Sequence, residues 1–183
     1  MAPARAAGFC LVDCFGMGPV DYDLKSKRLQ SWGPLLQAYT SERRCLSAVF
    51  HLVSSEYGGR LTEGDEQLLD IVSRTMRARR ATGLRPVQYV VVLTKSDLHP
   101  EEEIPALLEA LRADLEAKKC LPDKVLECSS LTPEGIGVTS VAAAMEAAAA
   151  RGWALRSSWE QEARRRGRPK PRNRGSTERQ EVW

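Results

Sequence analysis

Nowhere in these 183 residues does Gly-x-x-x-x-Gly-Lys-Ser/Thr occur, so the chain lacks the loop that cradles phosphates with backbone N–H groups and a lysine. No apolar run approaches the ~20 residues needed to span a bilayer, which argues against a transmembrane role. Residues 1–7 carry one positive charge and lead straight into strand-like sequence, without the roughly 7–15-residue apolar region of a secretory signal. The two histidines, His51 and His99, are remote from the Cys10/Cys14 pair, which leaves no convincing zinc-ligand spacing. The cysteines number five, an odd count, and fall mainly in or beside apolar segments. Reduced thiols in a cytoplasmic or organelle-matrix compartment fit that usage. There is no internal repeat.

What is present suits one domain of ordinary size with a tail. Hydrophobic residues make up 43% of the chain, ordinary for a buried core. The net charge of +3 conceals an uneven division, with +6 on residues 151–183 and −3 on residues 1–150. The run Arg164-Arg-Arg-Gly-Arg-Pro-Lys-Pro-Arg-Asn-Arg174 is broken by Pro and Gly and nearly free of apolar anchors, so the tail from Arg151 is predicted to be disordered on its own. Its charges would reward contact with RNA phosphates through counterion release. The alternative is a solvated extension that opposes aggregation.

The most specific segment is Val90-Val91-Val92-Leu93-Thr94-Lys95-Ser96-Asp97. A buried strand there delivers a loop to the carboxyl edge of a sheet, where α/β folds place their ligands. The Asp97 carboxylate can accept from both the ring N–H and the exocyclic amine of guanine, a pair that adenine does not present. At Cys128, 31 residues on, another short apolar run ends in the small residues Ser129-Ser130-Leu131, a turn able to offer backbone N–H groups to the guanine carbonyl oxygen. Near the start, Phe9-Cys10-Leu11-Val12-Asp13-Cys14-Phe15-Gly16-Met17-Gly18 reads as a third strand ending in Asp-x-x-Gly, a spacing that suits a metal-linked carboxylate and a switch glycine.

In this order the three segments resemble the third, fourth and fifth motifs of the GTPases, and specifically the EngB-type ribosome-biogenesis family of the TRAFAC class. That family has Asp-x-Pro-Gly-Tyr-Gly, Thr-Lys-x-Asp, and Ser-Ser-Leu followed by Gly-Ile or Gly-Val. The counterparts here are Asp13 to Gly18, Thr94 to Asp97, and Ser129-Ser130-Leu131 with Gly135-Ile136. The resemblance spans roughly residues 8–150 and implies an incomplete P-loop-NTPase-like G domain, a parallel sheet covered by helices. It implies GTP or GDP and Mg2+ as ligands. Asp97 would select guanine with the Lys95 stem over the base, Thr94 would tie the loop to neighbouring backbone, and Ser96, Cys128, Ser129, Ser130 and Leu131 would complete the pocket. Asp13 would orient a magnesium-bound water, with Cys14, Phe15, Gly16 and Met17 forming the switch that senses the γ-phosphate. The family's role is assembly of the large ribosomal subunit.

The departures are as definite. The strand and phosphate loop that precede these motifs in the family are missing from the chain, which implies an N-terminally shortened G domain or a degenerate one that kept its second half as a ribosome-, RNA- or protein-binding module. In the family fold the missing strand lies between those ending here at Asp13 and Val53, so a gap in the core is expected. Pro and Tyr of the switch become Phe15 and Met17, and the family's Asp-x-Arg-His becomes Ser54-Ser55-Glu56-Tyr57.

Between the motifs, residues 19–27 are predicted to be a polar loop. Residues 24–39 have helical apolar spacing interrupted by Gly33-Pro34, with Trp32 expected in the core. Residues 47–53 read as a buried strand, and Thr62 with Asp65 as the cap of a helix whose buried face holds Leu68, Leu69, Ile71, Val72 and Met76. Arg74, Arg77, Arg79 and Arg80 at its end suit the helix dipole on a solvated face, RNA contact being the alternative. Further helices are expected over residues 100–119 and 138–150, flanking a last strand at 125–128.

Overall fold

The computed structural model describes residues 10–14, 22–131 and 135–165. Helix α1 (Tyr22–Glu42) leads to β1 (Ala48–Ser54), α2 (Glu63–Ala81), β2 (Gln88–Thr94), α3 (Ile104–Ala117), β3 (Lys124–Cys128) and α4 (Val138–Arg165). Single 3-10 turns lie at Ser55–Tyr57, Ser96–Leu98 and Glu101–Glu103. Among the described residues the sheet has three strands in the order β1-β2-β3, all parallel, with Ala48 to Ser54 opposite Gln88 to Thr94 and Val90 to Thr94 opposite Lys124 to Cys128. The chain is therefore α/β, a small parallel sheet flanked by helices.

The central strand explains the architecture. Tyr89 to Leu93 are buried without a break, as a strand covered on both faces requires. One face packs Val53, Tyr89, Val91 and Leu93 against Leu69 and Val72 of α2 and Leu111 and Leu115 of α3. Helix α4 packs on β3 with Ala144 and Ala148 buried, small side chains that let a helix approach a sheet closely. At Gly152 an added Cβ would lie 3.2 Å from Ser47, so α4 crosses from the far end of β3 to the residues just before β1.

A polar triad sits inside this core. The carboxylate of Asp65 can only accept, so His51 Nε2–H donates to its Oδ1 at 2.9 Å, and His51 Nδ1 meets the Tyr89 hydroxyl at 2.8 Å. The other carboxylate oxygen takes the Thr62 N–H and hydroxyl at 2.8 and 2.6 Å, completing the capping box of α2. The sequence-predicted cap is thus present, and its Asp has a second role in satisfying a buried histidine. Burial pushes the Tyr89 phenol far above its ordinary value, helped by nearby Cys120 and Asp65, so it stays a hydroxyl.

Burial also opposes ionisation of Asp65, but the bonds from His51 and Thr62 outweigh it and hold its pKa below the ordinary 3.8. A depressed carboxylate stabilises the fold above its unfolded pKa and loses that contribution as pH falls through the folded value. Urea unfolding of the native chain should therefore show a declining midpoint below about pH 4. Asp65→Asn should lower the midpoint at neutral pH and flatten that acid decline; an equally steep decline in the variant would remove Asp65 as its source.

Several sequence expectations are corrected. Residues 10–14 form no strand, and Leu11 and Val12 are exposed. A strand needs a ladder partner, and among the described residues the sheet ends at β1, whose Leu52 is 60% exposed on the face opposite His51 and Val53. The expected gap is thus an open sheet edge. The crevice between α1, α2 and β1, lined by Leu36, Val49, Leu68 and Ile71 among others, measures only about 20 Å3. Residues 22–27 belong to α1 rather than to a loop, and that helix continues through Pro34. Trp32 is 40% exposed instead of buried. The helix expected over 100–119 begins at Ile104, after a 3-10 turn. The boundary expected at residue 150 falls inside α4, which runs on to Arg165. Glycine at 152 does not stop it, and the residues to 165 include good helix formers, Ala, Leu, Glu, Gln and Arg.

Candidate functional site

Two loops leave the carboxyl ends of β2 and β3 side by side. The first is Thr94-Lys95-Ser96-Asp97, the second Ser129-Ser130-Leu131, and they are joined where the Ser129 hydroxyl donates to Asp97 Oδ1. Ser129 is buried, its N–H donates to Ile136 O at 2.9 Å, and its hydroxyl oxygen accepts from the Leu131 N–H at 3.3 Å. The parallel register brings this about: Thr94 pairs with Cys128 at the last rung of β2 and β3, so the residues that follow each strand emerge at the same height.

The first loop is held from the β1 side. Thr94 Oγ1 donates to Val53 O at 3.1 Å, and the buried Ser55 hydroxyl donates to Lys95 O at 2.7 Å. Lys95 Nζ donates to Glu56 Oε2 at 2.6 Å, and that carboxylate also accepts from Ser54. The bond from Lys95, reinforced by Ser54, holds the Glu56 pKa below its ordinary value. The ring of His99 meets Ser55 O at 3.0 Å. Ser55, Glu56 and His99 are the residues that sequence reasoning missed. Ser54 to Tyr57 stood out only as a departure from the family pattern, and nothing in the spacing shows that it clamps the Lys95 loop.

These contacts support a strained backbone. Lys95 has φ 60° and ψ 36°, a left-handed conformation that costs a non-glycine residue roughly 1–3 kcal/mol and persists only where its surroundings impose it. The other non-glycine residue at positive φ, Lys119, ends α3, where such geometry is an ordinary helix stop. Lys95 caps no preceding helix, so its conformation belongs to the loop. The effect is to turn the chain so that Asp97 points toward Ser129.

Chemically, the paired loops offer an acceptor flanked by donors. Oδ1 of Asp97 holds the Ser129 hydroxyl and keeps a second lone pair, while Oδ2 has no hydrogen-bond partner among the described residues. Ser130 is exposed beside it, and Leu131 is 78% exposed, a large apolar side chain at the rim. Ser96 is buried with a hydroxyl that finds no partner among the described residues. Cys128 is half-buried at the end of its strand.

Asp13 and Cys14 are exposed on the segment before α1, and no hydrogen bond or ion pair joins them to the two loops among the described residues. Phe15, Gly16 and Met17, assigned to the switch, lie outside the described residues, as do residues 132–134. Among the described residues there is no group of three or more His, Cys, Asp or Glu side chains that could hold a metal ion, and no helix is long and apolar enough to cross a membrane. All five cysteines are free, with Cys120 in the core. No family model, no curated protein and no solved structure matches the chain.

Proposed function

We propose that the loops 94–97 and 129–131 form the base-reading half of a guanine-nucleotide site in a G-domain-like fold of the EngB type, in a chain without the phosphate-holding loop. The observation that carries this reading is the Ser129–Asp97 hydrogen bond. It fixes the carboxylate that would accept from the guanine N–H and amine next to the turn whose N–H groups would meet the carbonyl oxygen. The strained Lys95 backbone supports it, since such strain gathers at functional loops. Large-subunit assembly goes with the EngB resemblance and is part of the same proposal, as is Mg2+ at Asp13.

Lacking a phosphate loop, the chain has no strong anion cradle, so weak nucleotide affinity and negligible hydrolysis are expected. Base selectivity is the better test. Asp97→Asn keeps the acceptor for Ser129 but replaces one oxygen by an amide donor, which repels the guanine amine and suits a base with a carbonyl there. A bidentate base contact is worth roughly 1–3 kcal/mol. Ligand-observed NMR titrations should therefore show GDP preferred to ADP by the native chain. In the variant GDP should weaken by about 5- to 150-fold, the same energy expressed as a ratio, while xanthosine diphosphate gains. Equal binding of GDP and ADP by the native chain would end the reading. Sub-micromolar affinity for a fluorescent GTP analogue would show that another segment supplies the cradle.

A further inference from the structure

The pole opposite the paired loops is built around a buried arginine. Arg79, 1% exposed, donates through Nε to Arg85 O at 3.0 Å and through Nη1 to Thr40 O and Arg43 O at 3.0 and 2.9 Å. It thereby gathers the end of α1, the end of α2 and the approach to β2 into one knot. The side chains that this knot displays are again arginines: Arg43, Arg44, Arg77, Arg80 and Arg85 are all exposed. Residues 40–44 and 77–85 together hold six arginines and a single acid, Glu42. Such a field is not needed for folding, because like charges crowded on one surface repel.

Helix α4 reaches the same pole, with Gly152 close to Ser47 and Cys45. The seven-residue strands separate this pole from the loops 94–97 and 129–131 by about 20 Å.

We propose that the arginine pole forms a binding surface for the phosphate backbone of nucleic acid. The pole itself is arginine throughout, whose planar fork matches phosphate oxygens better than an ammonium does. The contact is to phosphates, so it is insensitive to base sequence, and its strength follows counterion release. The surface stands apart from the guanine reading and does not depend on it.

The test is fluorescence anisotropy of labelled single-stranded RNA and DNA of mixed sequence, titrated with the full chain over a series of KCl concentrations. Arg43→Gln/Arg80→Gln/Arg85→Gln removes three exposed side chains yet leaves all three backbone carbonyls that hold Arg79. Arg60→Gln/Arg74→Gln/Lys118→Gln removes the same charge from side chains paired with Asp114, Asp70 and Glu66. The native chain should bind both nucleic acids with steep salt dependence. The pole variant should bind at least about tenfold more weakly, with a log–log salt slope shallower by about 2 at roughly 0.7 per phosphate contact. Arg80→Gln alone should lower the slope by about 0.7, and the control triple should bind nearly as the native chain does. Equal weakening by the two triples, an unchanged slope in the pole variant, or capture by phosphatidylserine vesicles without nucleic-acid binding would each overturn the proposal.

Discussion

Gly137→Ala is expected to lower the urea and thermal midpoints sharply and, on the proposed guanine reading, to cost nucleotide binding more than the lost stability explains. Gly137 has φ +69°, and a Cβ built there falls 1.9 Å from Glu127 O and 2.8 Å from its carbonyl carbon, inside the strand that carries the site. Neither atom can rotate away, so the loop must lift off β3. The conformational penalty of a left-handed alanine and the forced displacement together should cost at least about 2 kcal/mol, or roughly 4–8 °C in a domain of this size. Lifting the loop also breaks the Ser129 N–H to Ile136 O bond, which positions the hydroxyl that holds Asp97. The chain supplies its own control. Gly83 has the same φ of +69° with nothing within 4 Å of an added Cβ. Gly83→Ala should cost only the backbone term, about 1 kcal/mol, and leave base selectivity unchanged. Equal losses at the two positions would mean that the Glu127 contact does not constrain the site.

The pairing that defines the candidate site was legible because it depends on local patterns that the sheet merely repeats. The apolar run at 90–93 fixes a buried strand, the run at 125–128 fixes another, and a parallel sheet brings their carboxyl ends together. Thr62 and Asp65 were legible for the same reason, since a capping box closes within four residues. The segment 10–13 was misread because a strand is not a local object: Cys10-Leu-Val has the composition of one, but among the described residues no neighbour completes its ladder. His51 was hidden differently. Its position in an apolar strand announces burial, but the partners that satisfy it, Tyr89 and Asp65, come from two other elements. The clamp of Ser55 and Glu56 on Lys95 likewise spans the ends of adjacent strands.

Arg79 combines both situations, and its removal is expected to have the largest effect on stability of any single change. The cluster Arg77-Ala-Arg79-Arg80 reads as a solvated, dipole-matched helix end, yet helical spacing from Val72 and Thr75 carries position 79 to the buried face. There the guanidinium satisfies Thr40 O, in the last turn of α1 where helix carbonyls have no intrahelical partner, and Arg85 O, and it gives Arg43 O a second donor beside the Leu46 N–H. Beneath it the Thr40 hydroxyl donates to Leu36 O at 2.8 Å and so accepts from Thr75 at 2.7 Å, a polar seam that closes only if both helices keep this register. Burial lowers the Arg79 pKa below its ordinary value, but an arginine stays a cation in proteins. Arg79→Met fills similar volume, leaves Thr40 O and Arg85 O without this donor, and leaves Arg43 O with the Leu46 N–H alone at 3.2 Å. With hydrogen bonds to charged groups worth about 1.5–3 kcal/mol and orphaned buried acceptors costly, the loss should be roughly 3–5 kcal/mol. Urea unfolding should show a lower midpoint with an unchanged slope. Arg79→Lys should recover little, because one ammonium cannot reach carbonyls on three segments in the directions that a planar fork does. A methionine variant within about 1 kcal/mol of the native chain would show that water replaces the guanidinium, and that the joint between α1 and α2 rests on its apolar contacts alone.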